Sequence, residues 1–566
     1  MGAFKIGINM AGAISAGAYT AGVLDFFTEA LEEWYRAKAR GDVVPAHDVS
    51  IEVLTGASAG GMCAAISTVM LQENFEHIHD TSRRDTTNRF YESWVNKIDI
   101  SQLLKTDDLA KGPPVVSLLD SNIISEIASY ALTPSDLLDQ PRAYVSPNLS
   151  LFLSLTNLRG IPYSLNGAAP GSIEETTLFF GDRIRFETLR PDKTAAPAAS
   201  AYTLDSSKPG ADGGWDVLQT AAAATGAFPL FLAPRVLERK IREYTPPMWE
   251  SVTSALTGTP PPIPPNFPED QTDPMVTLNV DGGITNNDPF NYAHDYMTAL
   301  RPLAPLTSGG GPLDADRAVL SIAPFPTTEK FDSAFAAGEQ SGIFSVLPRL
   351  FSALISQSRF FGESLSQIMS GATFNRFVVA PSDPESETAL QCATLGAFGG
   401  FFERGFRAHD YQLGRRNCQK FLKDFFVLPA DNVIIGPALD SLPAEIRAQV
   451  IANFQRPAPG TYAGEPGPQE QQTSTSVWLP IIPLCSPSVT QEIAPVVRAK
   501  MTSKALDTVV SLILQRFRAL MPIFLDEIGT APLRWFLKLG QPFIRGLMRG
   551  PLRATLVKEL GDSYLP

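Results

Sequence analysis

The sequence predicts an α/β fold of three layers, with a mostly parallel central sheet between helices, followed by a helical C-terminal region. The apolar runs Phe4–Met10 and Ser50–Leu54 are each followed by a turn of small residues and then by a helical pattern. This repeat of strand, turn and helix is typical of a parallel sheet with crossover helices. Further apolar runs bounded by turn residues predict additional strands, namely Ser150–Thr156, Thr177–Phe180, Val276–Val280 and Ala318–Ile322. Because ligands of such sheets bind at the carboxyl ends of the strands, we expect functional residues in those turns.

The composition excludes several classes of protein. The chain has 566 residues, of which 44% are hydrophobic and 19% charged, so it can bury a sizeable core. Its net charge of -13 disfavours a nucleic-acid partner, since phosphate binding needs clustered basic residues. The four cysteines are far apart and lack the paired spacing of a zinc site or the density of a disulfide framework.

The apolar run from Ile6 to Phe27 superficially resembles a secretory signal. Glycines interrupt it, however, and it continues directly into an amphipathic helix predicted over Ala18–Ala39. No other segment reaches the ~18 uninterrupted apolar residues that a transmembrane helix requires. We therefore expect a cytoplasmic protein without a signal peptide, able to lie peripherally at a membrane.

Proline-rich and glycine-rich stretches suggest how the chain is divided. We expect a catalytic α/β domain enlarged by two Pro-rich insertions, then a mainly helical extension packed on it, a linker and a helical C-terminal region. These parts are residues 1–330 with insertions at about 191–214 and 245–274, then 331–454, 455–479 and 480–566.

A serine occupies the turn between the strand at Ser50–Leu54 and a helix predicted over Gly61–Leu71. Gly56, Ser58 and Gly60 form a Gly-x-Ser-x-Gly frame there. A nucleophilic serine needs such a sharp turn so that its hydroxyl projects from the sheet, and the turn tolerates only small neighbours. The alternative is a structural glycine turn. The strand–turn–helix context favours a catalytic Ser58 with Gly56 and Gly60 forming the nucleophile elbow.

The turn after the first strand is expected to lie beside Ser58 at the same edge of the sheet. Gly12 and Ala13 in this turn can present backbone N–H groups to a developing oxyanion. Two alternatives are a turn that only lets helix and strand pack closely, and a phosphate-binding loop. The lysine of a P-loop is absent.

The predicted general base is an aspartate. None of the five histidines follows a clear strand, whereas Asp281 ends the run Val276–Val280 and precedes Gly282 and Gly283. A partly buried carboxylate close to a serine hydroxyl can take its proton directly. The alternative is an ordinary Asp-Gly turn, as at Asp212, which lies in a low-complexity loop without a preceding strand.

Taken together, these residues resemble the patatin-like phospholipase family. The resemblance spans roughly residues 4 to 326. It rests on four blocks in the family's order, which are Gly17–Leu24, Gly56–Gly60, Ala221–Leu230 and Asp281–Gly283. Members cleave acyl esters of membrane lipids with a Ser/Asp dyad and no histidine. The resemblance implies a three-layer patatin-like domain, Ser58 as nucleophile, Asp281 as base and Gly12 and Ala13 as oxyanion donors. It also implies a phospholipid or other lipid ester as substrate and no metal or organic cofactor.

The chain departs from the family pattern in one turn. The family usually has a basic residue just before the glycine that aligns with Gly17, and this chain has Ala16. Two further hypotheses stand beside the lipid acyl hydrolase, and this departure motivates the second of them. One is an α/β-hydrolase with a triad that uses His409. The other is a catalytically weak protein that binds membranes or partners on the same scaffold.

Three segments of the C-terminal half contain further candidate features. Arg404–Leu422, with Arg415 and Arg416, suggests either a phosphate head-group site or, as we favour, a helix anchored by buried salt bridges. Arg534–Lys558 is basic and amphipathic, which suits contact with an anionic membrane or, by slight preference, a helical cap on the protein. Gly342–Phe361 is either a lid over a lipid cleft or part of the core. The sequence carries no signal for oligomeric state.

Overall fold

A computed structural model describes most of the chain, and the fold is given for those residues. They are 2–112, 114–165, 175–190, 196–208, 211–244, 264–300, 311–325, 376–383, 386, 388–458, 477–528 and 549–566.

Nine strands form one mostly parallel sheet. They are β1 (Ala3–Met10), β2 (Asp48–Gly56), β3 (Val145–Leu165), β4 (Glu175–Leu189), β5 (Tyr202–Asp205), β6 (Arg235–Arg239), β7 (Met275–Asp281), β8 (Arg317–Ile322) and β9 (Arg376–Val379). Their order is β5-β4-β3-β2-β1-β8-β9, and β7 pairs with both β3 and β6. The central pairs β3-β2-β1-β8-β9 are all parallel, whereas β3 is antiparallel to β4 and β7. The four additional strands predicted from apolar runs lie within β3, β4, β7 and β8.

Helices cover both faces of this sheet. They are α1 (Gly17–Arg40), α2 (Ser58–Met70), α3 (Arg89–Tyr91), α4 (Ile100–Leu103), α5 (Asn122–Ala131), α6 (Trp215–Thr225), α7 (Phe290–Ala299), α8 (Gly399–Phe402), α9 (Arg404–Asp424), α10 (Ile435–Asp440), α11 (Ala444–Phe454), α12 (Pro487–Thr490) and α13 (Ser503–Ile528). A π-helical turn, Glu92–Lys97, follows α3, and residues 549–560 are helical. Successive strand residues face opposite layers. Val53 of β2 packs with α7, whereas Leu54 belongs to the larger core that includes α1 and α2.

The second half of the chain is packed against the first through α9. The helices α1 and α9 approach so closely that a Cβ atom at Gly22 would lie 1.9 Å from the Tyr411 carbonyl oxygen. Arg415 of α9 forms buried ion pairs with Asp25 and Glu29 of α1. Burial opposes ionisation of Asp25, but Arg415 and His77 hold its pKa below the usual value. Arg404–Leu422 is therefore part of a helix anchored by buried salt bridges, which is the alternative we favoured from the sequence.

The sheet includes two segments that composition had assigned elsewhere, one to the helical extension after residue 330 and one to the insertion 191–214. β9 pairs in parallel with β8, so the sheet includes residues beyond the expected domain limit at 330. Within the expected insertion 191–214, β5 pairs with β4 and buries Leu204 completely. Composition missed both because these strands are four residues each and depend on non-local pairing.

Two short strand pairs lie outside the main sheet. Strand β10 (Val427–Pro429) pairs with β11 (Trp478–Pro480), and β12 (Met501–Thr502) pairs with β13 (Tyr564–Leu565). The Arg456 N–H donates to the Trp478 carbonyl at 2.8 Å, and this contact brings together the two ends of the expected linker 455–479, of which residues 459–476 lie outside the described part.

Some expected features fall partly or wholly outside the described residues. Gly342–Phe361, most of insertion 245–274 and positions 534–548 of the basic stretch do so. Within the rest of that stretch, Arg553 is paired with Asp507 and Tyr564. Among the described helices, none combines the length and the hydropathy needed to cross a bilayer.

Candidate active site

The register of the sheet brings three turns together at one edge. Met10, at the end of β1, lies opposite Gly56 at the end of β2, and Gly56 also lies opposite Leu153 of β3. Two residues farther along β3, Leu155 pairs with Asp281 at the end of β7. The turns at Gly12, Ser58 and Asp281 therefore meet in space, although they are far apart in sequence.

Ser58 is the first residue of α2 and has a strained backbone. Its φ is 52°, in the left-handed region that residues other than glycine rarely adopt. This conformation is typical of a nucleophile elbow, in which the serine is raised out of the strand-to-helix turn. The turn also needs Gly60, because a Cβ there would lie 2.2 Å from the Met10 carbonyl oxygen. The helix dipole of α2 places partial positive charge beside Ser58.

Asp281 accepts a hydrogen bond from the Ser58 hydroxyl. The distance from Ser58 Oγ to Asp281 Oδ2 is 2.7 Å, and Asp281 Oδ1 accepts the Gly283 N–H at 2.7 Å. Burial raises the pKa of Asp281 to about 7, and these two hydrogen bonds oppose the rise. The carboxyl group can therefore exchange a proton near neutral pH.

Thr225 links the serine turn to β3 through its hydroxyl group, a role that sequence reasoning missed. Its Oγ1 accepts the Ser58 N–H at 3.0 Å and donates to the Ser154 carbonyl at 2.6 Å. Thr225 lies in the block Ala221–Leu230, which drew attention only through the family resemblance. The sole local signal was a hydroxyl residue next to Gly226 at the end of an alanine-rich helix.

Gly12 lies beside Ser58, and it differs from Ala13 in its hydrogen bonding. A Cβ on Gly12 would be 3.1 Å from Ser58 Cβ. The Gly12 N–H donates to the Asn287 carbonyl at 2.9 Å. Within the described part of the chain, the N–H groups of Ala13 and of Ala59 in α2 have no backbone acceptor. Ala59 was not predicted, although the residue after a nucleophilic serine commonly supplies an oxyanion donor.

A buried network of polar side chains connects the segments that carry the same three turns. Asn9 at the end of β1 donates to the Asp288 carboxylate, and the Thr55 hydroxyl of β2 donates to Asn9 Oδ1 at 3.0 Å. All three side chains are buried. Asp288 belongs to the segment that follows Asp281, so the network fixes the relative positions of β1, β2 and that segment.

Ser58 and Asp281 open into an apolar cavity of about 890 Å³, counting its opening to solvent. Helices α2, α5 and α6 supply much of its wall, and α8 with the residue before it adds aromatic rings. Representative side chains are Met62, Ile66, Ile124, Ile127, Phe398 and Phe401. The last two come from the C-terminal half of the chain. A cavity of this kind is suited to a hydrocarbon chain.

The histidines lie elsewhere, including the one considered for a triad. His409 is buried in α9, where its Nδ1 lies 2.8 Å from Asp410 Oδ1. His47 contacts the Ile481 carbonyl, and His77 pairs with Asp25. None of the described residues that line the cavity is a histidine.

Comparisons with known proteins identify the family of the chain. The sequence profile of the patatin-like phospholipases matches residues 9–294, which is half of the chain. An uncharacterized protein of Sinorhizobium fredii, y4iI, is 36% identical over 464 residues that cover 74% of this chain and 64% of that protein. This chain thus spans less than two thirds of that relative. The crystal structure of VipD from Legionella pneumophila aligns with 100% of this chain and 88% of its own at 10% identity and a TM-score of 0.20, too low a score to carry an argument. The match to the family profile shows that the chain belongs to the patatin-like phospholipases, a family of lipid acyl hydrolases.

Proposed function

We propose that this chain hydrolyses carboxylic esters of lipids, as a phospholipase A or lysophospholipase, through a Ser58/Asp281 dyad and an acyl-enzyme. The observation that carries the proposal is the 2.7 Å hydrogen bond between Ser58 Oγ and Asp281 Oδ2 at an apolar cavity. A hydroxyl and a carboxylate in direct contact fit nucleophilic catalysis without histidine.

In acylation, Ser58 Oγ attacks the ester carbonyl carbon and its proton passes to Asp281 Oδ2. The carbon–oxygen bond to the alcohol then breaks, and Asp281 returns the proton to the departing alcohol. In deacylation a water molecule attacks the acyl-enzyme and gives a proton to Asp281. The acid leaves as the proton returns to Ser58. The pKa of Asp281, about 7, suits a group that both takes and gives a proton.

The oxyanion of each tetrahedral intermediate needs preset donors. We assign the free N–H groups of Ala13 and Ala59 to this role. Gly12 contributes by having no side chain, since a Cβ would collide with Asn287 Oδ1 at 2.1 Å. Its own N–H can join the hole if the Asn287 carbonyl moves away.

The experiment compares wild type with Ser58→Ala and Asp281→Asn on a short-chain chromogenic ester and on phospholipid vesicles. We expect both variants to lose at least ~10³-fold in kcat, because nucleophile and base act as a unit. Unchanged turnover in either variant would end the dyad proposal.

Two rival functions are tested by the same assays. A histidine triad predicts that His409→Ala abolishes hydrolysis, whereas the dyad requires no chemistry from that buried side chain. A membrane-binding protein with little activity predicts co-sedimentation with anionic vesicles and no hydrolysis across several lipids. Product analysis by mass spectrometry on a mixed membrane extract identifies the head group and acyl position.

A further inference from the structure

The turn after β1, residues 11–16, has a strained backbone next to one of the assigned oxyanion donors. Ile14, the residue after Ala13, has a φ of 48° and lines the cavity. A β-branched residue rarely adopts this left-handed conformation. Such strain persists only where the surrounding structure holds it, and it is frequent at functional sites. The turn therefore needs contacts that keep it in this shape.

Ser15, the next residue, makes those contacts and is completely buried. Its N–H and its hydroxyl both donate to the Ala397 carbonyl, at 3.2 and 2.5 Å. Its Oγ also accepts the Gly400 N–H at 3.0 Å and lies 3.4 Å from the Cys392 carbonyl. Ser15 thus joins the turn to a segment of the C-terminal half, since Ala397 lies 382 positions later in the chain.

That segment, residues 391–401, is held by α9 independently of Ser15. The buried Asp410 of α9 accepts the N–H groups of the first two residues of the segment, at 2.9 Å each. The buried Arg407 donates to the Gly400 carbonyl at 2.6 Å. Because these contacts do not involve Ser15, the segment is a fixed support, and the turn is the part that Ser15 holds against it.

The position of Ser15 also bears on the departure from the family pattern. Ala16 stands where the family usually has a basic residue, and its methyl group cannot donate a hydrogen bond to a neighbouring segment. Ser15 makes such bonds from the adjacent position.

We propose that Ser15 is a positioning residue for the oxyanion hole, which fixes the turn to segment 391–401 and so holds the Ala13 N–H in place for the tetrahedral intermediate. The proposal rests on the proposed function. It gives the C-terminal half, beyond the residues that match the family profile, a part in catalysis. Preset donors act because they need no rearrangement when charge develops, so a looser turn should weaken transition-state binding and leave substrate binding unchanged.

The test compares wild type with Ser15→Ala, which keeps the backbone hydrogen bond of Ser15 and removes only those of its hydroxyl. A trifluoromethyl ketone with an octyl chain adds to an active serine and forms an oxyanion, whereas the methyl ketone of the same chain only fills the cavity. In Ser15→Ala we expect a 10- to 100-fold loss, roughly, in kcat on a short-chain ester and in affinity for the trifluoromethyl ketone, below the loss of a whole oxyanion donor. The affinity for the methyl ketone and the KM should stay within about twofold.

Ser67→Ala is the matched control. Ser67 is also a buried serine whose hydroxyl donates to a backbone carbonyl, that of Cys63 at 2.8 Å, and it does not line the cavity. Its removal should leave both ketone affinities and kcat unchanged. Equal losses for the two ketones in Ser15→Ala would mean that Ser15 only supports the cavity wall. No loss for either would mean that the turn keeps its shape without the hydroxyl, and both results overturn the proposal.

Amide hydrogen exchange separates this proposal from the proposed function. Peptides that cover residues 10–20 should exchange about tenfold faster in Ser15→Ala, which corresponds to one hydrogen bond of ordinary strength. Peptides of α9 should keep their wild-type rates. If wild type neither hydrolyses esters nor prefers the trifluoromethyl ketone, the proposed function fails, and the exchange rates still decide whether Ser15 holds the turn. Unchanged exchange across residues 10–20 overturns the proposal whatever the activity of wild type.

Discussion

At the scale of single residues, the proposed role of Asp281 as the base predicts how the reaction depends on pH. Burial raises its pKa to about 7, and only the deprotonated carboxylate can accept the Ser58 proton. Activity should therefore be low at pH 5, rise through pH 7 and reach a plateau above it. The measurement is kcat/KM of wild type on a soluble ester from pH 5 to 9. A profile that is flat through this range, or that falls as pH rises, would contradict the assignment of Asp281 as the base.

Thr225 provides a second test at this scale. Thr225→Val keeps the shape of the side chain but leaves the Ser58 N–H and the Ser154 carbonyl without their partner. We expect kcat/KM to fall about 10- to 100-fold and the free energy of unfolding to fall by about 2 kcal/mol. Both are measured beside Thr225→Ser, which keeps the hydroxyl and should stay within about threefold of wild type. Equal losses in the two variants would mean that the methyl group matters and the hydroxyl does not.

Some of these residues could be predicted from sequence and others could not. Gly56, Ser58 and Gly60 form a local motif between a strand and a helix, and hydrophobic periodicity predicts both of these elements. Thr225 and the Asn287 carbonyl act through contacts across 167 and 275 positions of the chain, which no local pattern encodes. The hydrogen bond from the Gly12 N–H to the Asn287 carbonyl could not be predicted, because the sequence of a glycine turn does not show whether its N–H groups are free.

At the scale of elements, the contact between α1 and α9 depends on two glycines that face backbone. A Cβ at Gly414 would lie 2.2 Å from the Tyr19 carbonyl oxygen, and rigid backbone cannot yield as a side chain can. Gly414→Ala should therefore lower the free energy of unfolding by about 1–3 kcal/mol. The control is Gly550→Ala, which lies in the helix at 549–560, where a Cβ would have no atom of the described residues within 4 Å.

Chemical denaturation of the two variants and of wild type measures this difference. Gly550→Ala should be close to neutral, because the ~1 kcal/mol that alanine gains over glycine in a helix is opposed by Pro551, which disfavours helical backbone at the residue before it. If Gly414→Ala were as stable as Gly550→Ala, the helices would have to be farther apart than described here.

Most strands of the main sheet and its first two long helices were predictable. The expected helix Ala18–Ala39 is α1 (Gly17–Arg40), and Gly61–Leu71 is contained in α2 apart from its last residue. Long helices and buried strands are legible because their hydrophobic periodicity extends over many residues. The strands of the main sheet that were not predicted are β5, β6 and β9. Each has only four or five residues, β5 follows a low-complexity segment, and β6 has charged residues at three of its five positions.

At the scale of the whole molecule, the family match ends at residue 294 but the packed structure does not. Strand β9 extends the sheet, α9 covers α1, and Phe398 and Phe401 line the cavity. In a chain that ends at residue 330, Asp25 and Glu29 would lose their ion-pair partner Arg415. The apolar face of α1 that packs against α9 would also be uncovered. Removing one partner from buried ion pairs is strongly destabilising.

We therefore expect the chain ending at residue 330 to be insoluble or unfolded. Circular dichroism and limited proteolysis check this against the full chain. A cooperative unfolding transition and wild-type ester turnover in the shorter chain would contradict the view that both halves form one folding unit. The expected division into parts at 330, 454 and 479 was reasoned from composition, which does not reveal such contacts.

Covalent labelling by a fluorophosphonate tests the central claim most directly, because the reagent reacts with an activated serine and mimics the tetrahedral intermediate. The account predicts one added phosphonyl group per chain, located on Ser58 by peptide mass spectrometry. Labelling should disappear in Ser58→Ala, slow at least ~100-fold in Asp281→Asn, and rise with pH through about 7 in wild type. Labelling of another residue, or an unchanged rate in Asp281→Asn, would contradict it.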